Sequence, residues 1–173
     1  MLRLVEVTFV EVFASILVTV AALLPIVNPL GTAPIFLAMS ADVPPEARHH
    51  LATVVPRNAF VLMAGVLLIG SYVLAFFGIS VPIVRVAGGL VLVSTGWRLL
   101  HTGDEPDRGG PAPALTDAWE RELARRGFYP LTFPLTVGPG SISVAITLGA
   151  REAGDPVARA VAAIGDVVGI AIV

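Results

Sequence analysis

Charged residues fall in clusters along the chain, and long apolar runs separate them. Glu11 and Asp42 enclose 30 uncharged residues, Arg57 and Arg85 enclose 27, and Arg126 and Arg151 enclose 24. A helix crosses about 30 Å of hydrocarbon with roughly 20 residues, so each run is long enough. Arg85 and Arg98 enclose only 12. The stretch Val81–Leu100 still spans when both arginine head groups reach opposite interfaces. A last run, Val157–Val173, is interrupted only by Arg159 and Asp166. The pattern predicts five helical segments, over about 9–39, 52–79, 81–100, 128–150 and 157–173. Segments two and three join through Gly78-Ile79-Ser80, a tight hairpin. Segments three and four join through a long linker, about 101–127. Its first half, Thr102–Pro113, is rich in Gly, Pro and acid. Its second half reads as a short helix, with Asp117 and Glu120 at cap spacing, Trp119 and Leu123 on one face and Gly127 as the stop. The apolar face of that helix is expected on the bilayer surface.

Composition narrows the class. The chain has 173 residues, 55% apolar and 14% charged. Its mean hydropathy is +0.85. Soluble domains carry about 25% charged residues. The expected class is therefore an all-α polytopic transmembrane protein, folded as a single transmembrane domain over 1–173. A net charge of −2 argues against a nucleic-acid partner. Cysteine is absent, which excludes thiolate metal sites and cysteine chemistry. His49, His50 and His101 sit beside loops without a metal-ligand spacing, so no metal is expected. No phosphate loop or dinucleotide fingerprint appears, so no cofactor is expected either. Gly140-Ser141 lacks an intramembrane base, and the chain has no lysine, so enzyme activity is not expected. With one crossing per segment, seven arginines (48, 57, 98, 108, 121, 125 and 126) share one side and four (3, 85, 151 and 159) the other. That bias puts the N-terminus outside and the linker in the cytoplasm. The fifth segment stops inside an apolar run, where its last carbonyls would lack partners; further residues are expected beyond Val173.

Two segments contain what a plain spanning helix avoids. The first holds Pro25, Asn28, Pro29, Gly31, Thr32 and Pro34; the fourth holds Pro130, Thr132, Pro134, Thr136, Gly138, Pro139, Gly140 and Ser141. Each proline removes a helix donor and clashes with the preceding turn. In hydrocarbon, opened backbone survives only inside protein or along a wet cavity. The pattern PxxxPLxxxP at Pro25, Pro29, Leu30 and Pro34 recurs 105 residues later at Pro130, Pro134, Leu135 and Pro139. Three crossings separate the copies. This predicts an inverted 3+3 repeat, with a first copy over about 9–100 and an incomplete second over 128–173. Paired broken segments of this kind point to a transporter's binding site.

The stretches LLPIVNPLGTAPIFLAMS (23–40), VRVAGGLVL (84–92) and FYPLTFPLTVGPGSISVAITLGA (128–150) resemble the MarC family of integral membrane proteins, also grouped with SnatA-like transporters of small neutral amino acids. The resemblance implies a cytoplasmic (inner) membrane protein with about six spans that moves such solutes.

The residues at the breaks supply the candidate site. Asn28 either holds a substrate group or caps the half-helix after it. Pro29 opens the first break. Gly31, Gly138 and Gly140 let backbone approach a ligand closely, while Thr32, Thr136 and Ser141 offer hydroxyls. Opposed half-helix ends suit the two charges of a zwitterion. Arg57 and Asp166 are candidates for gating or coupling, as a pair; otherwise Arg57 snorkels and Asp166 faces a helix beyond Val173. Arg85 and Arg98 read as interfacial anchors; Glu11 reads as an interfacial carboxylate, with a proton site as the alternative. The expected function is secondary transport of a small neutral solute such as alanine, glycine or serine. The expected partners are that solute and the lipid bilayer, with a homo-oligomer left open. The rivals are a channel or passive facilitator, marked by non-saturating flux, and a non-transporting scaffold subunit, marked by a stoichiometric partner.

Overall fold

The computed structural model describes residues 2–101, 117–151 and 156–173. Among these every regular element is helical: α1 Leu2–Val27, α2 Pro29–Met39, α3 Pro45–Phe76, α4 Val81–His101, α5 Asp117–Arg126, α6 Pro139–Gly149 and α7 Pro156–Ile172. A wide, kinked helical coil, Gly127–Thr136, extended at Tyr129 and Phe133, joins α5 to α6. The expected all-α membrane architecture is the one found. Thr102–Pro113, the first half of the expected linker, lies outside the described residues. Asn28 divides the first expected segment into α1 and α2, and the second begins earlier than expected, at Pro45. Pro45 occupies the first turn of α3, where a missing N–H costs nothing. Gly78 makes the hairpin between α3 and α4 with φ +68°, a conformation that favours glycine.

Among the described residues, two stretches are long and apolar enough to cross a membrane, Phe9–Met39 and Pro45–Phe76. A third exists if Arg121–Thr136 and Pro139–Gly149, bent by 71°, form one span. The expected fifth crossing is α7, whose 17 residues rise about 25 Å.

The core is built on close approach of backbones. Lipid tails are as apolar as leucine, so helices in a bilayer associate through packing and small residues. Helix α6 carries that pattern, burying Gly140, Ser141, Ser143 and Ala145. Helices α1, α3 and α4 all pack on it. A Cβ at Gly88 of α4 would lie 2.7 Å from the Ser143 hydroxyl. One at Gly149 would strike the Leu67 carbonyl of α3. Helix α7 lies along α1 through Gly165 and Gly169, a GxxxG spacing. Leu23, Ala59, Met63, Leu67, Val137, Ala145, Leu148 and Ile170 fill the space between these helices. Phe9, Phe13, Leu17 and Leu24 on α1 and Leu68, Ile69 and Phe76 on α3 are exposed, as a lipid-facing surface requires.

Helix α5 departs from expectation. Its Leu123 is buried against Val43, Leu51, Val55 and Leu131 instead of facing outward. The Arg126 guanidinium lies 2.8 Å from the Asp42 carboxylate and 3.1 Å from that of Glu122. These contacts dock α5 on the α2–α3 turn. Arg48 braces the same turn, donating to the carbonyls of Ser40, Ala41 and Val43.

Candidate functional site

The first break is a single residue. Pro29 has no N–H to continue α1, and the residue before a proline is kept out of the right-handed helical region. Asn28 takes φ 45°, ψ 63°, a left-handed conformation that asparagine tolerates. Its side-chain oxygen accepts from the Gly31 N–H at 3.2 Å and caps α2. The Thr32 hydroxyl lies 2.9 Å from the Val27 carbonyl and 2.6 Å from that of Asn28, covering α1's last acceptors.

The second break is longer. The coil repeats an aromatic-Pro-Leu-Thr tetrapeptide, first Tyr129–Thr132 and then Phe133–Thr136. Tyr129 and Phe133, each before a proline, are extended, with φ near −121° and −122°. Both X-Pro bonds are cis. Each threonine donates to the carbonyl five residues back, Thr132 to Gly127 at 2.6 Å and Thr136 to Leu131 at 2.8 Å. These hydroxyls satisfy the backbone that the prolines leave open. The tandem is readable in the sequence, and it is the signal that the proline pattern alone misses.

Helix α6 then starts at Pro139, with Gly138 extended before it. The buried Ser141 hydroxyl accepts from the Gly138 N–H at 3.0 Å and lies 2.9 Å from the Gly138 carbonyl. The two starts are complementary. In α2 the cap residue reaches forward to the third helical N–H; in α6 the third helical residue reaches back to the cap. Each is one half of a capping box. The helix starts, Pro29 and Pro139, are 110 residues apart, whereas the proline pattern repeats at 105. By that pattern Pro29 matches Pro134, inside the coil, and Pro139 matches Pro34, inside α2.

A cavity of about 650 Å³ lies between the breaks. Leu23 and Val27 of α1, Pro29, Thr32 and Phe36 of α2, and Val55, Ala59 and Met63 of α3 form part of its wall. Leu135, Thr136 and Val137 bring in the coil, and Ile170 and Ala171 bring in α7. None of its lining residues is charged. The Thr32 and Thr136 hydroxyls donate to backbone and keep lone pairs that can accept from a ligand. A net charge would be costly here, so the cavity suits a neutral, zwitterionic or apolar solute. Its volume lies in the usual range for small-molecule sites, roughly 300–1,000 Å³.

Of the candidate residues, Pro29, Thr32 and Thr136 meet on this cavity. Asn28, Gly31, Gly138, Gly140 and Ser141 lie behind it, in the two helix starts. Asp166 pairs with Arg151, at 3.0 Å, and accepts from Thr19 at 2.6 Å. Through Thr19 it faces α1. Arg57, its expected partner, is exposed on α3. Arg85 is exposed but donates to Thr147 of α6 at 3.0 Å, so it ties α4 to the bundle as well as reaching outward.

The two roles left open for Asn28 separate experimentally. Asn28→Ala is expected to cost about 1–3 kcal/mol, from a lost cap and a left-handed alanine. Asn28→Gly is expected to cost less than about 1 kcal/mol, because glycine accepts that conformation. Unfolding in detergent measures both. Lost exchange in a stable Asn28→Gly protein would assign the amide to the solute.

A family model described as "MarC family integral membrane protein" matches residues 13–173. Inner membrane protein MarC of Citrobacter koseri is 31% identical over 138 residues, which cover 79% of this chain and 62% of that protein. The protein of the same name from Escherichia coli O1:K1 is 31% identical over 141 residues, with the same shares. The chain thus spans about 62% of the length of these relatives. No solved structure matches it.

Proposed function

This chain belongs to the MarC family of integral membrane proteins, and from that premise we propose that it is a secondary transporter of small neutral solutes, amino acids such as alanine, glycine or serine. The observation that carries the reading is the charge-free cavity between two proline-broken helices. Opened backbone at membrane depth is stable only beside protein or a cavity, and half-helix starts present N–H groups that favour a carboxylate. The proposed solute contacts are Pro29, Thr32 and Thr136 on the wall. Asn28, Gly31, Gly138, Gly140 and Ser141 hold the half-helices in place and supply their backbone groups. The reading includes an inverted arrangement of the two breaks, an inner-membrane location and an external N-terminus. It involves no covalent chemistry and no cofactor.

Counterflow in proteoliposomes tests it. With unlabelled alanine inside, external labelled alanine is expected to accumulate transiently, and excess glycine or serine should compete. Correctly inserted protein that exchanges none of the three would remove the amino-acid reading.

A further inference from the structure

Asp166 is nearly inaccessible, 2% exposed, on an otherwise apolar stretch of α7. Burying a carboxylate there is costly without a partner, and such charges in membrane helices mark ion or proton sites by default. Its oxygen accepts from two groups that differ in kind. Thr19 of α1, itself fully buried, donates at 2.6 Å. The Arg151 guanidinium, about one-third exposed beyond the end of α6, donates at 3.0 Å. A second cavity, about 370 Å³, reaches Asp166 and is also lined by Arg159 and Tyr72. Arg159 donates to the Tyr72 hydroxyl at 3.0 Å. These contacts set Thr19 from α1, Tyr72 from α3, Arg151 beyond α6 and Arg159 on α7 itself around this region.

We infer that Asp166 is the coupling site of the transporter, where a proton entering through the second cavity takes the place of the Arg151 guanidinium. This deepens the transport reading and rests on it. Binding is a simple protonation: the carboxylate becomes a carboxylic acid, and no bond breaks except the ion pair. Thr19 suits both states, since a hydroxyl donates to a carboxylate and accepts from a carboxylic acid. Arg151 does not give up its proton, so it must withdraw. It has a second place to go, because its Nε already lies 3.4 Å from the Leu148 carbonyl at the C-terminal end of α6, where a cation is favoured.

The link to the solute cavity is short. Ile170 is one turn beyond Asp166 on α7, and Leu23 is one turn beyond Thr19 on α1; both line the solute cavity. The Thr19–Asp166 bond thus holds together the two helices whose next turns form its wall. Gly165 and Gly169 bring those helices into backbone contact, so a shift at Asp166 reaches the wall without slack.

The test uses the purified full chain in proteoliposomes, with labelled alanine as probe and an imposed gradient, acid outside. The wild-type protein is expected to accumulate alanine in response to the gradient. Asp166→Asn should lose about tenfold or more of that accumulation, with counterflow at equal pH measured beside it. Gradient-driven accumulation equal to wild type in Asp166→Asn would overturn the proposal. If that variant loses both activities, Arg151→Gln decides. Removing the cation should raise the pH midpoint of uptake by about 1–3 units, and an unmoved midpoint overturns the proposal. A wild-type protein that exchanges alanine but ignores the gradient overturns the coupling and leaves the transport reading standing. One that exchanges no alanine, glycine or serine overturns both.

Discussion

Replacing Gly31 with leucine is expected to stop solute exchange while the protein still inserts and folds. A Cβ at this position meets the Asn28 side chain, with the amide nitrogen in its way and the amide carbon at 2.9 Å. The amide can swing aside only by giving up the Gly31 N–H, which is the cap of α2. Pro29 and Thr32 lie in the first turn of α2 and form part of the cavity wall, so they shift with it. Counterflow is expected to fall at least about tenfold, equivalent to roughly 1.4 kcal/mol in the barrier. The yield of monodisperse protein should stay near wild type, because α2 buries no residue of its own. Unchanged exchange in Gly31→Leu would show that the first break does not shape the solute path.

The second large effect is on stability. Gly165→Leu is expected to separate α7 from α1. A Cβ there lies 2.6 Å from the Val12 carbonyl and 2.7 Å from the Ser15 Cβ. A backbone carbonyl cannot step aside as a side-chain end can. Overpacking of this kind costs about 1–3 kcal/mol, occasionally more. Thermal unfolding in detergent should show a clear loss for Gly165→Leu. Gly65→Leu is the control, since nothing lies within 4 Å of a Cβ there. Equal melting of the two variants would contradict the close α1–α7 contact.

The limits of what could be read from the sequence follow from what each feature depends on. The helical segments were legible because charge spacing and proline chemistry act locally. Gaps of 24 to 30 uncharged residues mark the first, second and fourth segments, and the prolines mark where backbone must open. Asn28, beside Pro29, was legible as a cap for the same reason. The surroundings of Asp166 were not. By sequence Arg57 is its expected counterpart, whereas Thr19, 147 residues away on α1, and Arg151 hold its carboxylate; a contact that depends on how α7 packs along α1 leaves no local mark in the sequence. The docking of Leu123 on Val43 and Leu51 likewise depends on a distant contact, the Arg126–Asp42 pair. The proline pattern located both breaks but not their register. The helix starts are fixed by which residue can cap, and Asn28 and the Gly138–Ser141 pair do that in different ways.

The central claim is that solute occupies the cavity walled by both breaks, and thiol protection tests it most directly. The chain has no cysteine, so Thr32→Cys and Thr136→Cys each introduce a unique thiol on that wall. Each is labelled with a membrane-permeant maleimide, with and without saturating alanine. His50→Cys, exposed on α3 and turned from the face that carries Val55, Ala59 and Met63, is the reference. The account predicts that alanine slows labelling at both wall positions and leaves the reference unchanged. Equal labelling at Thr32→Cys and Thr136→Cys with and without alanine, in protein that still exchanges it, would contradict the site.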